Sequence, residues 1–138
     1  MRVELAFRPA SRLPYLTSEL ALASGTEMAR SMDCEITPEE LKSLLESSSD
    51  VVILDVRELW EIETAEMARS KHIPMNEIPA RFQCELDPGK HIVVVCHHGV
   101  RSYNVTAWLR QQGYDKVQSL AGGIDRWARQ MDPKVPVY

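Results

Sequence analysis

The stretch His91–Ser102, HIVVVCHHGVRS, constrains this chain more than any other. Ile92–Val95 is a dense, β-branched apolar run, too short for a globular helix, and it stops at a cysteine. Such a run reads as a strand buried on both faces, as in a parallel sheet. Cys96, His97, His98, Gly99, Val100, Arg101 and Ser102 follow. Tyr103–Gln112 then reads as an amphipathic helix closed by Gly113 at the C′ position. A strand, a cysteine, a tight loop and a helix start together make an anion trap. Main-chain N–H groups converge there, and the helix dipole favours negative charge. A cysteine at the mouth of such a nest is expected to act as a thiolate nucleophile.

The chain has 138 residues, 44% of them hydrophobic and 26% charged, which predicts one domain with a real core. A net charge of −4 argues against a nucleic-acid partner held by bulk electrostatics. No apolar run is long enough to span a membrane, and the N-terminus lacks the apolar segment of a secretory signal. Cys34, Cys84 and Cys96 are an odd number at irregular spacing. They fit neither a disulfide framework nor a zinc site and point to a reducing, cytoplasmic compartment.

Residues 1–31 carry four arginines against three glutamates and show no convincing apolar stripe. They read as a flexible or loosely docked extension, or as a product of start choice if translation begins at Met28 or Met32. Residues 32–138 form the predicted folded unit, with order from near Ile36. Thr37-Pro38-Glu39-Glu40 is a helix start with a capping box and proline at the first helical position. Leu41, Leu44 and Leu45 line its inner face. Val51–Val56 is a second buried strand. Asp55, Arg57 and Glu58 lie at its C-terminal end, where open α/β sheets place their ligand sites.

Leu59–Ala68 is predicted to be a short helix with Trp60 and Ile62 partly buried. His72-Ile73-Pro74 should be extended, since a residue before proline avoids the α region. Asn76–Pro79 opens a helical turn toward Phe82, and Asp87–Lys90 is a turn. Val117–Leu120 is a further strand. Ile124–Met131 is a final helix with Ile124, Trp127 and Met131 inward. Alternating strands and helices give an α/β fold with a mostly parallel sheet.

The segments LDVRELWE (54–61), HIP (72–74), CHHGVRS (96–102) and LAGGIDRW (120–127) occur in this order. From about Ile36 to the C-terminus the chain thereby resembles the rhodanese-like sulfurtransferases of the stand-alone, single-domain bacterial type. The resemblance implies a small doubly wound α/β domain, with a mainly parallel five-stranded sheet and helices on both faces. It implies that Cys96 takes a sulfane sulfur from thiosulfate or a related persulfide donor and passes it, as a persulfide, to cyanide or a thiol. Four residues separate Cys96 from Arg101. Cysteine-dependent phosphatases have a loop one residue longer, which leaves phosphate and arsenate transfer as runner-up chemistries.

The resemblance also assigns roles. Cys96 is the nucleophile. Main-chain N–H groups from His97 to Ser102 stabilise thiolate and persulfide. Gly99 permits the close turn. Arg101 holds the departing sulfonate. Ser102 caps the following helix and donates to the sulfur. His97, His98 and Val100 meet the substrate, and Asp55 and Arg57 brace the loop from beside it. Lys71 and Met75 stand where the family usually has glycines. No cofactor beyond the covalent persulfide is expected. A metal held by His97, His98 and Cys96 is not expected either, because adjacent side chains on so tight a loop rarely converge on one ion. The expected partners are the sulfur donor and acceptor, small molecules or a protein, with the chain a monomer or weak homodimer. The alternative is a non-catalytic binding module or a protein-to-protein sulfur relay.

Overall fold

The computed structural model describes residues 32–48 and 50–138. The expectations for residues 1–31, including a start at Met28, lie outside them. The described chain runs β1 (Glu35–Ile36), α1 (Pro38–Ser47), β2 (Val51–Asp55), α2 (Leu59–Thr64), β3 (Ser70–His72), a 3-10 turn (Met75–Glu77), α3 (Ile78–Glu85), β4 (His91–Val95), α4 (Val100–Gln111), β5 (Val117–Leu120) and α5 (Gly123–Gln130). The strands form one five-stranded sheet in the order β1-β5-β4-β2-β3, and every pairing is parallel.

β4 lies at the centre because its residues are apolar on both faces. Ile92, Val94 and Cys96 join a core with Phe82, Val105 and Leu109, from α3 and α4. Val93 and Val95 point the other way, toward Leu41, Ile124 and Trp127 from α1 and α5. The alternation of side chains along a strand thus feeds two cores, and helices cover both faces. The doubly wound α/β architecture is the one the sequence predicts. α1 starts as its sequence demands: Thr37 Oγ1 accepts from Glu40 N at 3.1 Å, and Glu40 Oε1 accepts from Thr37 N at 2.9 Å.

Several local expectations are corrected. β1 was not read as a strand; it pairs Glu35 with Ser119 and Ile36 with Leu120 on β5. α2 ends at Thr64 rather than Ala68, because Ala65 turns extended and carries Ala65 and Met67 into the core. On α2 Ile62 is partly buried as expected, but Trp60 is exposed, and Glu61 is the buried residue of the helix. β3 covers Ser70–His72, and the chain stays extended through Ile73, whose N–H donates to Asp55 O at 3.1 Å, to Pro74, as expected. Arg69 enters β3 with a left-handed φ of 61°. α4 begins at Val100, three residues ahead of the predicted Tyr103. No helix among the described residues is long and apolar enough to cross a membrane.

Candidate active site

Parallel pairing aligns Asp55 with Val95, so β2 and β4 end side by side. Cys96 follows Val95 directly, at the C-terminal edge of the sheet where α/β folds place their sites. The chain turns at Gly99, whose φ of 108° is left-handed and which holds the N-cap position of α4. This turn folds the loop back over the sulfur. Cys96 Sγ accepts from Gly99 N at 3.1 Å and from Ser102 N at 3.3 Å. The cysteine is only 1% exposed, so a substrate must enter the loop to reach it.

Ser102 is a correction. It does not cap α4; it lies in the first turn, buried, with its hydroxyl donating to Gly99 O at 3.2 Å. Cys96 Sγ donates to Ser102 Oγ at 3.4 Å, and Ser102 Oγ lies 2.7 Å from Ser119 Oγ on β5. Once the thiol loses its proton, the Ser102 hydroxyl can rotate and donate to the sulfur instead. The start of α5 secures the loop from behind: Ile124 N donates to Cys96 O at 2.9 Å and Asp125 N to His97 O at 3.1 Å. That approach needs glycine at 123. A Cβ there would collide with the carbonyl oxygens of His97 and Cys96, and φ is 61°.

Beside the loop runs a chain of charges. Asp55 and Arg57, both fully buried, pair at 2.7 Å. Arg57 Nη2 also donates to Ala65 O at 2.6 Å, and its Nη1 to Tyr138 Oη at 2.8 Å. Burial would lower the Arg57 pKa, but hydrogen bonds to Asp55 and Tyr138 outweigh it and raise it. Tyr138 Oη in turn donates to Glu61 Oε2 at 2.9 Å. Glu61 grips Arg101 with both oxygens, each at 2.8 Å. The Arg101 guanidinium holds the Glu61 pKa down at about 2. Burial pushes the Tyr138 phenol up to about 12, so it stays a hydrogen-bond donor. Arg101 was expected as an anion-holding charge. In the structure both its terminal nitrogens are engaged by Glu61 in a fork-to-fork pair, with the guanidinium still part-exposed.

His97 and His98 stack at 3.9 Å, and His97 stacks on the Tyr138 ring at 3.9 Å, with planes 4° apart. His97 Nε2 lies 2.8 Å from the main-chain oxygen of Tyr138. Val100 projects into solvent. Ligand atoms of His97, His98 and Asp125 lie within 4.8 Å of one another. Cys96, enclosed in its loop, is not among the three. His72 and His91 serve main-chain and side-chain acceptors elsewhere: His72 Nε2 meets Arg57 O at 2.7 Å and His91 Nε2 meets Gln118 Oε1 at 2.8 Å. Cys34, Cys84 and Cys96 are all free.

The arrangement presents a nucleophilic sulfur, two N–H donors suited to negative charge on it, and a short loop around it. A profile of the Rhodanese-like domain matches residues 37–130. The chain belongs to the rhodanese-like family. A sulfurtransferase of Allochromatium vinosum is 39% identical over 95 residues, which cover 69% of this chain and 88% of that protein. A thiosulfate sulfurtransferase of Actinobacillus succinogenes is 33% identical over 104 residues, 75% of this chain and 92% of its own. Among solved structures, a rhodanese-like domain protein of Staphylococcus aureus aligns at TM-score 0.66 and 30% identity, covering 77% of this chain and 99% of its own. These relatives support sulfurtransferase activity at the level of the rhodanese-like family.

Asp55 and Arg57 pair at the end of β2, beside the end of β4 that Cys96 follows. The sequence reading overlooked Glu61, Ser119 and Tyr138. Ser119 sits in a fully buried strand, where a hydroxyl needs a partner; that was the available signal. Glu61 lies three residues after Glu58 at a helix start, the spacing of a first-turn acceptor, and its carboxylate does accept from Glu58 N at 3.0 Å. Nothing in the sequence announces Tyr138, which lies 81 residues from its partner Arg57.

Proposed function

We propose that this protein is a thiosulfate-type sulfurtransferase working through a persulfide on Cys96. The Cys96 thiolate attacks the outer sulfur of thiosulfate. The sulfur–sulfur bond of the donor breaks, and sulfite leaves with the bonding electrons. Cys96 is left as Cys–S–S⁻. Cyanide or a thiolate then attacks the outer sulfur and regenerates the thiolate. The carrying observation is the sulfur's setting: Gly99 N and Ser102 N point at Sγ from 3.1 and 3.3 Å inside a loop with four residues between Cys96 and Arg101. The same donors serve the persulfide as charge moves outward by one atom. The loop between Cys96 and Arg101 is one residue shorter than in cysteine-dependent phosphatases, which disfavours the phosphatase reading.

The test is steady-state thiocyanate release with thiosulfate and cyanide varied together. Parallel double-reciprocal lines, as a covalent intermediate requires, and no turnover by Cys96→Ser are expected. A folded wild-type protein whose Cys96 accepts alkylating agents but releases no thiocyanate contradicts the proposal.

A further inference from the structure

Sulfur transfer makes no use of the Asp125 carboxylate, yet it lies beside both histidines of the cysteine loop. Asp125 comes from α5, whereas His97 and His98 follow β4. One ligand atom from each of the three lies within 4.8 Å of the other two. The main chain enforces this approach: Asp125 N donates to His97 O at 3.1 Å, and Gly123 lets α5 come close enough. The sequence reading weighed His97 and His98 together with Cys96. In the structure a carboxylate from a separate element takes the place of that buried cysteine.

His97 is preset as a ligand. Its Nε2 lies 2.8 Å from the main-chain oxygen of Tyr138. That oxygen only accepts, so Nε2 carries the proton and the lone pair of the neutral ring is on Nδ1. Metal-binding histidines share this arrangement: the second ring nitrogen donates to a carbonyl or carboxylate, which fixes the tautomer and the ring. Stacking on Tyr138, with planes 4° apart, holds the His97 ring further. His98 is exposed and tilts 28° from the His97 plane. Ligand atoms around one tetrahedral ion sit roughly 3.3 Å apart, so the set must close by about 1.5 Å, which rotation of the exposed His98 side chain can supply. Arg129 Nε donates to Asp125 Oδ2 at 3.1 Å, which leaves Oδ1 for an ion. The chain's other two histidines, His72 and His91, are engaged by Arg57 O and Gln118 Oε1.

We infer that His97, His98 and Asp125 form a binding site for one divalent transition ion of the zinc type. Two imidazoles and a carboxylate suit such a borderline ion, whereas Mg²⁺ and Ca²⁺ take sets of oxygens. Three protein ligands leave a fourth position to water. The bound ion ties the cysteine loop to α5. The site requires neither the Cys96 thiolate nor its persulfide, so it stands apart from the proposed function.

The test titrates Zn²⁺ into the full chain against a chromogenic zinc chelator. It is repeated on His98→Ala, on Asp125→Asn, and on a thiol-free chain that combines Cys34→Ser, Cys84→Ser and Cys96→Ser. Circular dichroism checks that each variant is folded. Wild type and the thiol-free chain should each bind one Zn²⁺ with equal affinity, and excess Mg²⁺ should not displace it. His98→Ala and Asp125→Asn should each weaken binding by about ten-fold or more. Should the thiol-free chain not fold, Co²⁺ bound to wild type answers the same question. Its spectrum should lack a thiolate-to-cobalt charge-transfer band, and a spectrum with that band overturns the inference. Wild type that takes up no Zn²⁺, a folded thiol-free chain that loses it, or either single variant binding as tightly as wild type would equally overturn it. None of these readouts measures sulfur transfer, so the inference and the proposed function fail separately.

Discussion

Gly123 shows how much of the site is enforced by residues that never touch a substrate. It is where α5 meets the cysteine loop, and there is no space for a side chain between them. Gly123→Ala adds a Cβ against two carbonyl oxygens at a left-handed φ, so it should cost about 2–4 kcal/mol and push the loop outward. Urea unfolding checks the first effect, and Cys96 alkylation rate the second. Asp55 tests the other side. Asp55→Asn removes the counter-charge of Arg57 in a fully buried pair. Breaking such a pair costs about 3–5 kcal/mol. The low end is expected here, because Arg57 keeps acceptors at Ala65 O, Glu61 O and Tyr138 Oη. Thermal unfolding reads that loss directly.

Elements meet at this site through side chains whose chemistry can be isolated. Glu61 ties α2 to α4, and its pKa is lowered to about 2 from 4.5 by Arg101. A depressed carboxylate stabilises the fold above its unfolded pKa and loses that contribution as pH falls toward the folded value. The loss should therefore fall between about pH 4.5 and pH 2. It amounts to at most about 3 kcal/mol, reduced by the solvent around Arg101. Glu61→Gln should flatten that part of the pH–stability profile, whereas an unchanged profile would sever Glu61 from the acid response. On α4 itself, Thr106 Oγ1 is buried and has no hydrogen-bond partner among the described residues. Thr106→Val should be neutral or stabilise by about 1 kcal/mol in urea unfolding, since it removes an unsatisfied polar atom and keeps the shape. A clear loss of stability would show that the hydroxyl has a partner.

Across the whole molecule, what the sequence made legible was periodic or local. β2 and β4 are dense apolar runs because both sheet faces are covered, and the capping box of α1 is spelled out over four residues. β1 escaped notice because two residues show no period. Trp60 misled because hydrophobicity alone favours burying it, while the Arg101 guanidinium decides in favour of Glu61. Cys96 could be picked out from the strand–loop–helix pattern, but the engagement of Arg101 by Glu61 could not, since it joins residues 40 apart. All these features converge on one sulfur atom. The most direct test is the intact mass of the reduced full chain before and after thiosulfate, beside Cys96→Ser. The account expects wild type to gain a single sulfur that cyanide removes, and the variant to gain none. A wild type that stays at its original mass, or a variant that takes up sulfur equally well, would contradict it.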